Sequence, residues 1–400
     1  MTYERLFRTV LRRIPAETAH TLAAQSSRLA IAIPGVRTWL RRALRPEDSL
    51  QITALGRAFP SPLGAAGGVD KGATWFEALG AIGFGFVEVG TITAHKQRGN
   101  HGQRVLRLLK DRAVLNRMGF PNPGTQKVAR RLRSRSGDTV VGVNIGKSKA
   151  IPVEEAVADY RASARRVGPL ADYLVLNVSS PNTPGLVSMQ AVEPLRSLVT
   201  EVQAELESIG ADTPLLLKIG PDLSDGEIDA IADLALELKL DGIVATNTTA
   251  DRDGLVSDPS LLTGGGGISG APLKVRALEV LRRLHDRVEG RLVLISVGGI
   301  ETPEDAWGRI LAGASLLQAY TGFVYGGPLW PFRINRELAQ RLHACGGSTL
   351  ADVVGKGSDI SGARDGPRSD HMDGQVDTSG ATQRAPALVG ANRPVGRSAA

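Results

Sequence analysis

The sequence predicts an α/β fold: a parallel (β/α)8 TIM barrel, preceded by a small helical hairpin and followed by a disordered tail. Three observations predict it. From about residue 62 onward, eight short apolar runs alternate with helix-length stretches. Each run gives way to polar residues or glycine, where a barrel carries its site, and the first 45 residues follow a different, arginine-rich helical period. A doubly wound open sheet shares the alternation and is the alternative architecture.

The amino-terminal segment comes first. Tyr3, Leu6, Phe7, Val10, Leu11 and Ile14 recur at 3–4 spacing with Arg5, Arg8, Arg12 and Arg13 between them, which predicts an amphipathic helix interrupted by Pro15. A second apolar stretch from His20 to about Ile33 is closed by Pro34-Gly35, so residues 1–45 read as a hairpin with one apolar side. This segment holds nine arginines and two acids, which account for the whole formal charge of +7 and leave the rest of the chain formally neutral. An anionic lipid surface suits such an end, whereas a nucleic-acid groove needs the excess over the body; a merely solvated helix face is the plain alternative. No run of about 18 apolar residues occurs, so no bilayer-spanning helix is expected. An organelle transit peptide is also basic and poor in acids. The second helix, continuous with the body, is unlike a segment meant for removal, so an interfacial hairpin is expected.

Strands are predicted near 63–67, 85–89, 140–144, 173–178, 215–219, 242–246, 292–297 and 316–320, with room for a helix after each. Residues 46–345 then form the barrel domain. No aromatic residue follows Phe332, and from Gly346 to Ala400 isolated valines stand among Gly, Ser, Asp, Ala and Arg, too little apolar surface to offset the entropy of ordering. A disordered tail over 346–400 is expected. Cys345 is the single cysteine, which leaves no disulfide framework or cysteine metal cluster, and no metal site is expected. Any base in the core must be something other than a thiol.

The predicted strand ends carry the chemistry. They are Asp70-Lys71, Thr91, Asn144, Asn177 with Ser179-Ser180-Pro181-Asn182-Thr183, Lys218, Thr246-Asn247-Thr248, Gly298-Gly299 and Tyr320-Thr321-Gly322. Glycine turns after the seventh and eighth strands bare backbone N–H groups that surround a phosphate; with Gly270, Thr321 and Lys218 they point to a phosphate-bearing cofactor. Two lysines without a carboxylate cluster among these ends imply an anionic guest. Asn116, Asn177, Asn182 and Asn247 imply a planar guest rich in amide or imide groups, although each alone reads as a turn or cap residue.

Seven segments, in order, resemble the signature segments of dihydroorotate dehydrogenases: Gly67-Gly68-Val69-Asp70-Lys71, Glu88-Val89-Gly90-Thr91, Asn116-Arg117-Met118-Gly119-Phe120, Asn144-Ile145-Gly146-Lys147, Asn177-Val178-Ser179-Ser180-Pro181-Asn182-Thr183-Pro184-Gly185, Lys218-Ile219-Gly220-Pro221-Asp222 and Ala245-Thr246-Asn247-Thr248-Thr249. The resemblance covers the chain to about residue 340. It implies one flavin mononucleotide (FMN) per chain in the barrel mouth and oxidation of dihydroorotate to orotate in pyrimidine (UMP) biosynthesis. Hydride would leave substrate C6 for flavin N5 while a base takes the C5 proton. In the family's soluble classes that base is a cysteine; Ser180 at this position marks the quinone-using class. The resemblance places Thr183 and Phe120 in a water-assisted relay beside Ser180, whose plain reading is a turn or capping hydroxyl before a proline.

The same resemblance assigns substrate contacts to Lys71, Asn116, Arg117, Met118, Gly119, Phe120, Asn177, Asn182, Asn247 and Thr248. It assigns cofactor contacts to Gly67, Gly68, Val69, Asp70, Lys71, Thr91, Asn144, Asn177, Lys218, Thr246, Gly270, Gly299, Tyr320 and Thr321, with Lys218 near the pyrimidine edge of the flavin. Gly67 and Ser296 depart from the alanine and glycine of similar enzymes. Residues 1–45 would form a quinone tunnel on a membrane, with His20 facing it or simply packed. The expected setting is a monomer, peripheral on the cytoplasmic face of a bacterial cell membrane rather than on a mitochondrial inner membrane, with no nucleic-acid partner. Two other readings compete. A tRNA dihydrouridine synthase would use a cysteine acid, and Cys345 is misplaced for it; a non-enzymatic, membrane-docked phosphate-binding barrel would be colourless when purified.

Overall fold

The computed structural model describes residues 3–357. Eight parallel strands close a barrel in strict chain order: β1 (Leu63–Asp70), β2 (Phe86–Ile92), β3 (Val140–Ile145), β4 (Tyr173–Asn177), β5 (Leu215–Ile219), β6 (Gly242–Ala245), β7 (Val293–Val297) and β8 (Leu316–Ala319). Closure is made by β8 on β1, where Leu317 pairs with Leu63 and Ala319 with Ala65. Strands such as Tyr-Leu-Val-Leu-Asn and Leu-Leu-Leu-Lys-Ile are buried at every position, as they must be when a sheet is covered on both faces. The open-sheet alternative is thereby set aside, because no barrel strand is left with an unpaired edge.

Two of the outer helices start at capping boxes. Ser224 and Glu227 form a capping box at Asp225–Glu237, and Thr302 and Asp305 form another at Pro303–Leu311, each satisfying backbone N–H groups of a first turn. Ile228, Ile231, Ala232 and Ala235 of the former face the barrel at 3–4 spacing.

Two features were not expected. A hairpin of Ile52–Ala54 and Arg57–Phe59 precedes the barrel and sets Phe59 edge-on to Phe86. A three-stranded antiparallel sheet, Val105–Leu108, Ala113–Asn116 and Gly267–Gly270, is assembled from the connections after β2 and β6. Its strands are short and half of the last one is glycine, so no period-2 pattern betrays it.

The amino-terminal segment forms three helices, α1 (Tyr3–Thr9), α2 (Ala16–Ala32) and α3 (Val36–Ala43). The first stops short of the expected Ile14, with a 3-10 turn at Leu11–Arg13, because Arg107 of the small sheet donates to the carbonyls of Leu11 and Ile14. Tyr3 Oη donates to the Val324 carbonyl and the Phe7 ring meets Tyr325 at 5.3 Å, which fastens α1 to the barrel. Leu22 and Leu29 of α2, Ile33 just after it and Trp39 of α3 remain more than half exposed. Among the described residues no helix is long and apolar enough to cross a membrane.

One expectation is corrected. Residues 346–357 do not begin a disordered tail: Leu350 and Val353 are buried, a Thr349–Asp352 capping box orders the turn, and the Gly355 N–H donates to the Ile310 carbonyl. Two apolar anchors, six and nine residues beyond the helix Trp330–Ala344, suffice to hold this short segment. Residues 358–400 lie outside the described residues.

Candidate active site

The carboxyl ends of the strands surround a cleft of about 1290 Å³, including its solvent-open mouth. Its floor is polar. Glu88, fully buried on β2, accepts from Asn144 Nδ2 (2.8 Å) and Lys218 Nζ (3.2 Å) through Oε1 and from Gln318 Nε2 (2.7 Å) through Oε2. One carboxylate thus ties together β2, β3, β5 and β8. Burial first, then the charge of Glu88, holds the neighbouring Tyr173 phenol well above its usual pKa, so it stays neutral. Gly67 has a clear role here, because a Cβ at this position would lie 2.5 Å from Glu88 Oε1.

One wall is built of glycine. Gly270 and Gly299 both have positive φ, and a Cβ on either would strike backbone: the Arg112 carbonyl at 2.5 Å or Lys274 Cα at 2.4 Å. The helix Lys274–Val288 therefore begins against the Gly298-Gly299 turn. Behind it, buried Arg309 donates to the carbonyls of Lys274 (2.7 Å) and Gly298 (2.9 Å). Burial lowers its pKa to about 10, which still leaves a cation beneath the turn at neutral pH. Thr321 and Ser269 share a hydrogen bond at 2.8 Å beside this wall. Bare N–H groups, a helix start and a buried cation make an anion site.

The opposite side is a relay of amides. Asn177 Nδ2 donates to Thr91 Oγ1 (2.7 Å), Asn247 Nδ2 to Ser179 Oγ (3.0 Å), Asn182 Nδ2 to Asn116 Oδ1 (3.0 Å), and Asn116 Nδ2 to the Gly267 carbonyl (3.2 Å). Ser180 faces the cleft beside them, and its Oγ accepts from the Asn182 N–H at 3.3 Å, so the turn contact and the cleft position coexist. At the rim Lys71 Nζ sits 5.9 Å over the Tyr320 ring. His20 stacks on the other aromatic neighbours, edge-on to Trp75 at 5.3 Å and parallel to Tyr320 at 6.4 Å. Burial, reinforced by Lys71, depresses its pKa to about 3, so it is a neutral packing residue at physiological pH.

Most residues singled out from the sequence line this cleft: Lys71, Asn116, Met118, Gly119, Phe120, Asn177, Ser180, Asn182, Asn247 and Thr248, together with Gly67, Gly68, Thr91, Asn144, Lys218, Thr246, Gly270, Gly299, Tyr320 and Thr321. Four do not. The Asp70 carboxylate accepts from the N–H groups of Gly72, Thr74, Trp75 and Phe76, so it shapes the loop that presents Lys71 rather than facing the cleft. Val69 is buried in the core, Thr183 is buried behind the lining, and Arg117 donates to the carbonyls of Gly265 and Thr263, pinning the glycine-rich loop. Ser296 is buried with no partner for its Oγ. No residue of α1, α2 or α3 lines the cleft; among the described residues they border it at one remove, through His20 and Phe7.

Glu88, Gln318 and Arg112 were missed. A charged residue inside Phe-Val-Glu-Val and an amide inside Leu-Leu-Gln-Ala were the available signals, since a buried polar side chain needs a polar reason. Arg112, on the cleft wall, pairs with Glu301 and lies 5.1 Å over Tyr325. The site also has unanswered polar atoms: Asn144 Oδ1, Thr246 Oγ1 and Gln318 Oε1 are buried without partners, and all three residues line the cleft. Such acceptors fit a bound ring bearing N–H donors, and the glycine wall fits its phosphate.

The sequence profile of the dihydroorotate dehydrogenase family matches residues 49–342. The chain is 56% identical to a dihydroorotate dehydrogenase (quinone) of Thermobifida fusca over 369 residues, covering 90% of this chain and 98% of that one. It is 56% identical to that of Mycobacterium tuberculosis over 351 residues, 88% and 97% of the two chains. Its fold is similar to the crystal structure of the Eimeria tenella dihydroorotate dehydrogenase in complex with ferulenol, with TM-score 0.78, 37% identity, and coverage of 85% and 95%.

Proposed function

The chain belongs to the dihydroorotate dehydrogenase family, and from that premise we propose that it oxidises dihydroorotate to orotate in pyrimidine biosynthesis and passes the electrons to a membrane quinone. The observation that carries this reading is the cleft at the strand ends, lined by its amide relay, its glycine wall and Ser180. FMN is the cofactor the residues fit, one per chain. When bound it accepts hydride from the substrate and hands the electrons on to quinone.

The chain's own residues do the rest. Asn116, Asn177, Asn182 and Asn247 offer donors and acceptors for the amide and imide groups of the pyrimidine, and Lys71 supplies the charge for its carboxylate. Because the four amides already hold one another, they are ordered before substrate arrives and lose little entropy on binding it. Ser180 Oγ takes the C5 proton. A hydroxyl is a weak base, so its own proton must leave in the same step, toward water reached past Phe120 and Thr183. Glu88 is a positioning residue: it fixes the Lys218 ammonium and the amides of Asn144 and Gln318 around the cofactor's ring. Arg309 stiffens the phosphate turn from behind.

The exposed apolar side chains of α2 and α3, with their arginines, support peripheral attachment to a membrane, and we place the chain there as a monomer on the cytoplasmic face of a bacterial cell. Quinone would then reach the cleft along the side bounded by Tyr325 and Arg112. The test is orotate formation with a soluble quinone, fumarate or NAD as acceptor, in wild type and Ser180→Ala. Quinone-dependent turnover that falls about 10²–10⁴-fold in the variant, with the flavin spectrum unchanged, is expected of a lost general base. Turnover with fumarate or NAD would refute the acceptor, and undiminished turnover in the variant would refute the base.

A further inference from the structure

The helix Thr125–Arg133 (Thr-Gln-Lys-Val-Ala-Arg-Arg-Leu-Arg) contains no acid and buries Thr125, Val128, Ala129 and Leu132 against the barrel. The opposite stripe consists of Lys127, Arg130, Arg131 and Ser134, at i, i+3, i+4 and i+7, which together line an open surface hollow. Lys127, Arg130 and Arg133 are exposed and have no ion pair or hydrogen bond to a side chain among the described residues. The macrodipole accounts for cations in the last turn, but Lys127 stands in the first turn, where a cation is unfavourable.

This stripe adjoins the amino-terminal helices. Arg131 feels the charges of both Asp70 and Arg28 of α2, and neither arginine forms an ion pair with a carboxylate among the described residues. Arg37 of α3 donates to Ser136 Oγ at 3.1 Å and Arg41 to Thr139 Oγ1 at 2.8 Å, and both pair with Glu77, Arg41 also with Asp138, so the segment after the helix is bolted to α3 and these two cations are already answered. In α2 the exposed Leu29 directly follows Arg28, and Leu22 of α2, Ile33 just after it and Trp39 of α3 are exposed as well.

We propose that Lys127 and Arg130 of the barrel form, with Arg28 of α2, a binding face for an anionic phospholipid surface, so that the barrel itself docks on the membrane. The inference rests on the peripheral-membrane reading above and extends it to residues beyond the amino-terminal helices. Phospholipid is favoured over a nucleic acid because the adjoining leucines, isoleucine and tryptophan would enter the lipid interface, whereas a nucleic acid would leave them in water. In this arrangement the apolar side chains provide depth and the stripe provides selectivity for negative headgroups.

The full-length, FMN-loaded protein and its Lys127→Ala/Arg130→Ala variant are compared by flotation with vesicles of phosphatidylcholine alone and of phosphatidylcholine mixed with phosphatidylglycerol, and by binding to a single-stranded RNA. Thermal melting and turnover with a soluble quinone serve as controls and are expected to match wild type, because both residues are exposed and outside the cleft. At roughly five-fold per basic residue near a charged surface, the variant should bind mixed vesicles about thirty-fold more weakly and float unchanged with neutral ones. Equal binding of both proteins to mixed vesicles overturns the inference and leaves the membrane reading standing. Failure of wild type to bind any vesicle overturns both. Loss of RNA binding without loss of vesicle binding makes the stripe a nucleic-acid face and equally overturns the inference.

Discussion

Replacing Glu88 tests the floor of the site. The carboxylate is fully buried and answers three donors, one of them the ammonium of Lys218, itself 5% exposed. In Glu88→Gln the amide oxygen can keep the bonds to Asn144 and Lys218, while the new N–H group faces Gln318. Gln318 can turn its unpartnered Oε1 toward that group, so the hydrogen bonds survive and the loss is chiefly the counter-charge of a buried lysine. A hydrogen bond to a charged group contributes about 1.5–3 kcal/mol, which puts Glu88→Gln near 2 kcal/mol of destabilisation. Glu88→Ala removes every acceptor as well and should cost about 3–5 kcal/mol, the usual cost of leaving a buried charge unpaired. Urea unfolding of the apoprotein measures both, and the double variant Glu88→Gln/Lys218→Met completes a cycle. Removing the stranded ammonium should recover about 1 kcal/mol or more, since paired buried groups are coupled. Additive losses in the cycle, or a Glu88→Gln variant as stable as wild type, would show that the carboxylate does not hold Lys218 and would refute its positioning role.

Two other predictions concern His20 and Arg309. His20 is depressed to about 3 in the fold and titrates near 6.5 when unfolded, so the unfolded state takes up the proton first as pH falls. Stability is fully present above pH 6.5 and should decline by up to about 1.4 kcal/mol per pH unit from there toward pH 3 on this residue's account. Urea midpoints across that window should slope less steeply in His20→Gln; an unchanged slope removes the histidine from the acid response. Arg309→Met takes two hydrogen bonds from the carbonyls behind the Gly298-Gly299 turn and should weaken FMN binding to the apoprotein about thirty-fold, at about 1 kcal/mol per bond. Fluorescence titration that finds the same affinity would mean that the turn needs no support.

The barrel was legible because its determinants are local. A strand covered on both faces must be a short continuous apolar run, and 215–219, read from Leu-Leu-Leu-Lys-Ile, is the span the strand occupies. The strand-end residues were legible for the same reason, since chain order alone puts them at one end of a parallel barrel. What the side chains face was not. Asp70 stands inside a segment of cofactor-like residues, yet its carboxylate turns back to four N–H groups of its own loop, a choice made by the local turn and not by its neighbours in sequence. Lys218 looked unopposed until barrel closure brought Glu88, 130 positions away, against it. The small sheet that carries Asn116 and Gly270 pairs segments some 150 residues apart, and its short glycine-containing strands have no period of their own. The sequence by itself determined the barrel, the order of its polar ends and the arginine-rich helices before it, because burial and charge are written residue by residue. Tertiary structure alone decided which carboxylate answers which lysine and which helix shares a face with α2, because those depend on distances that exist only once the barrel has closed.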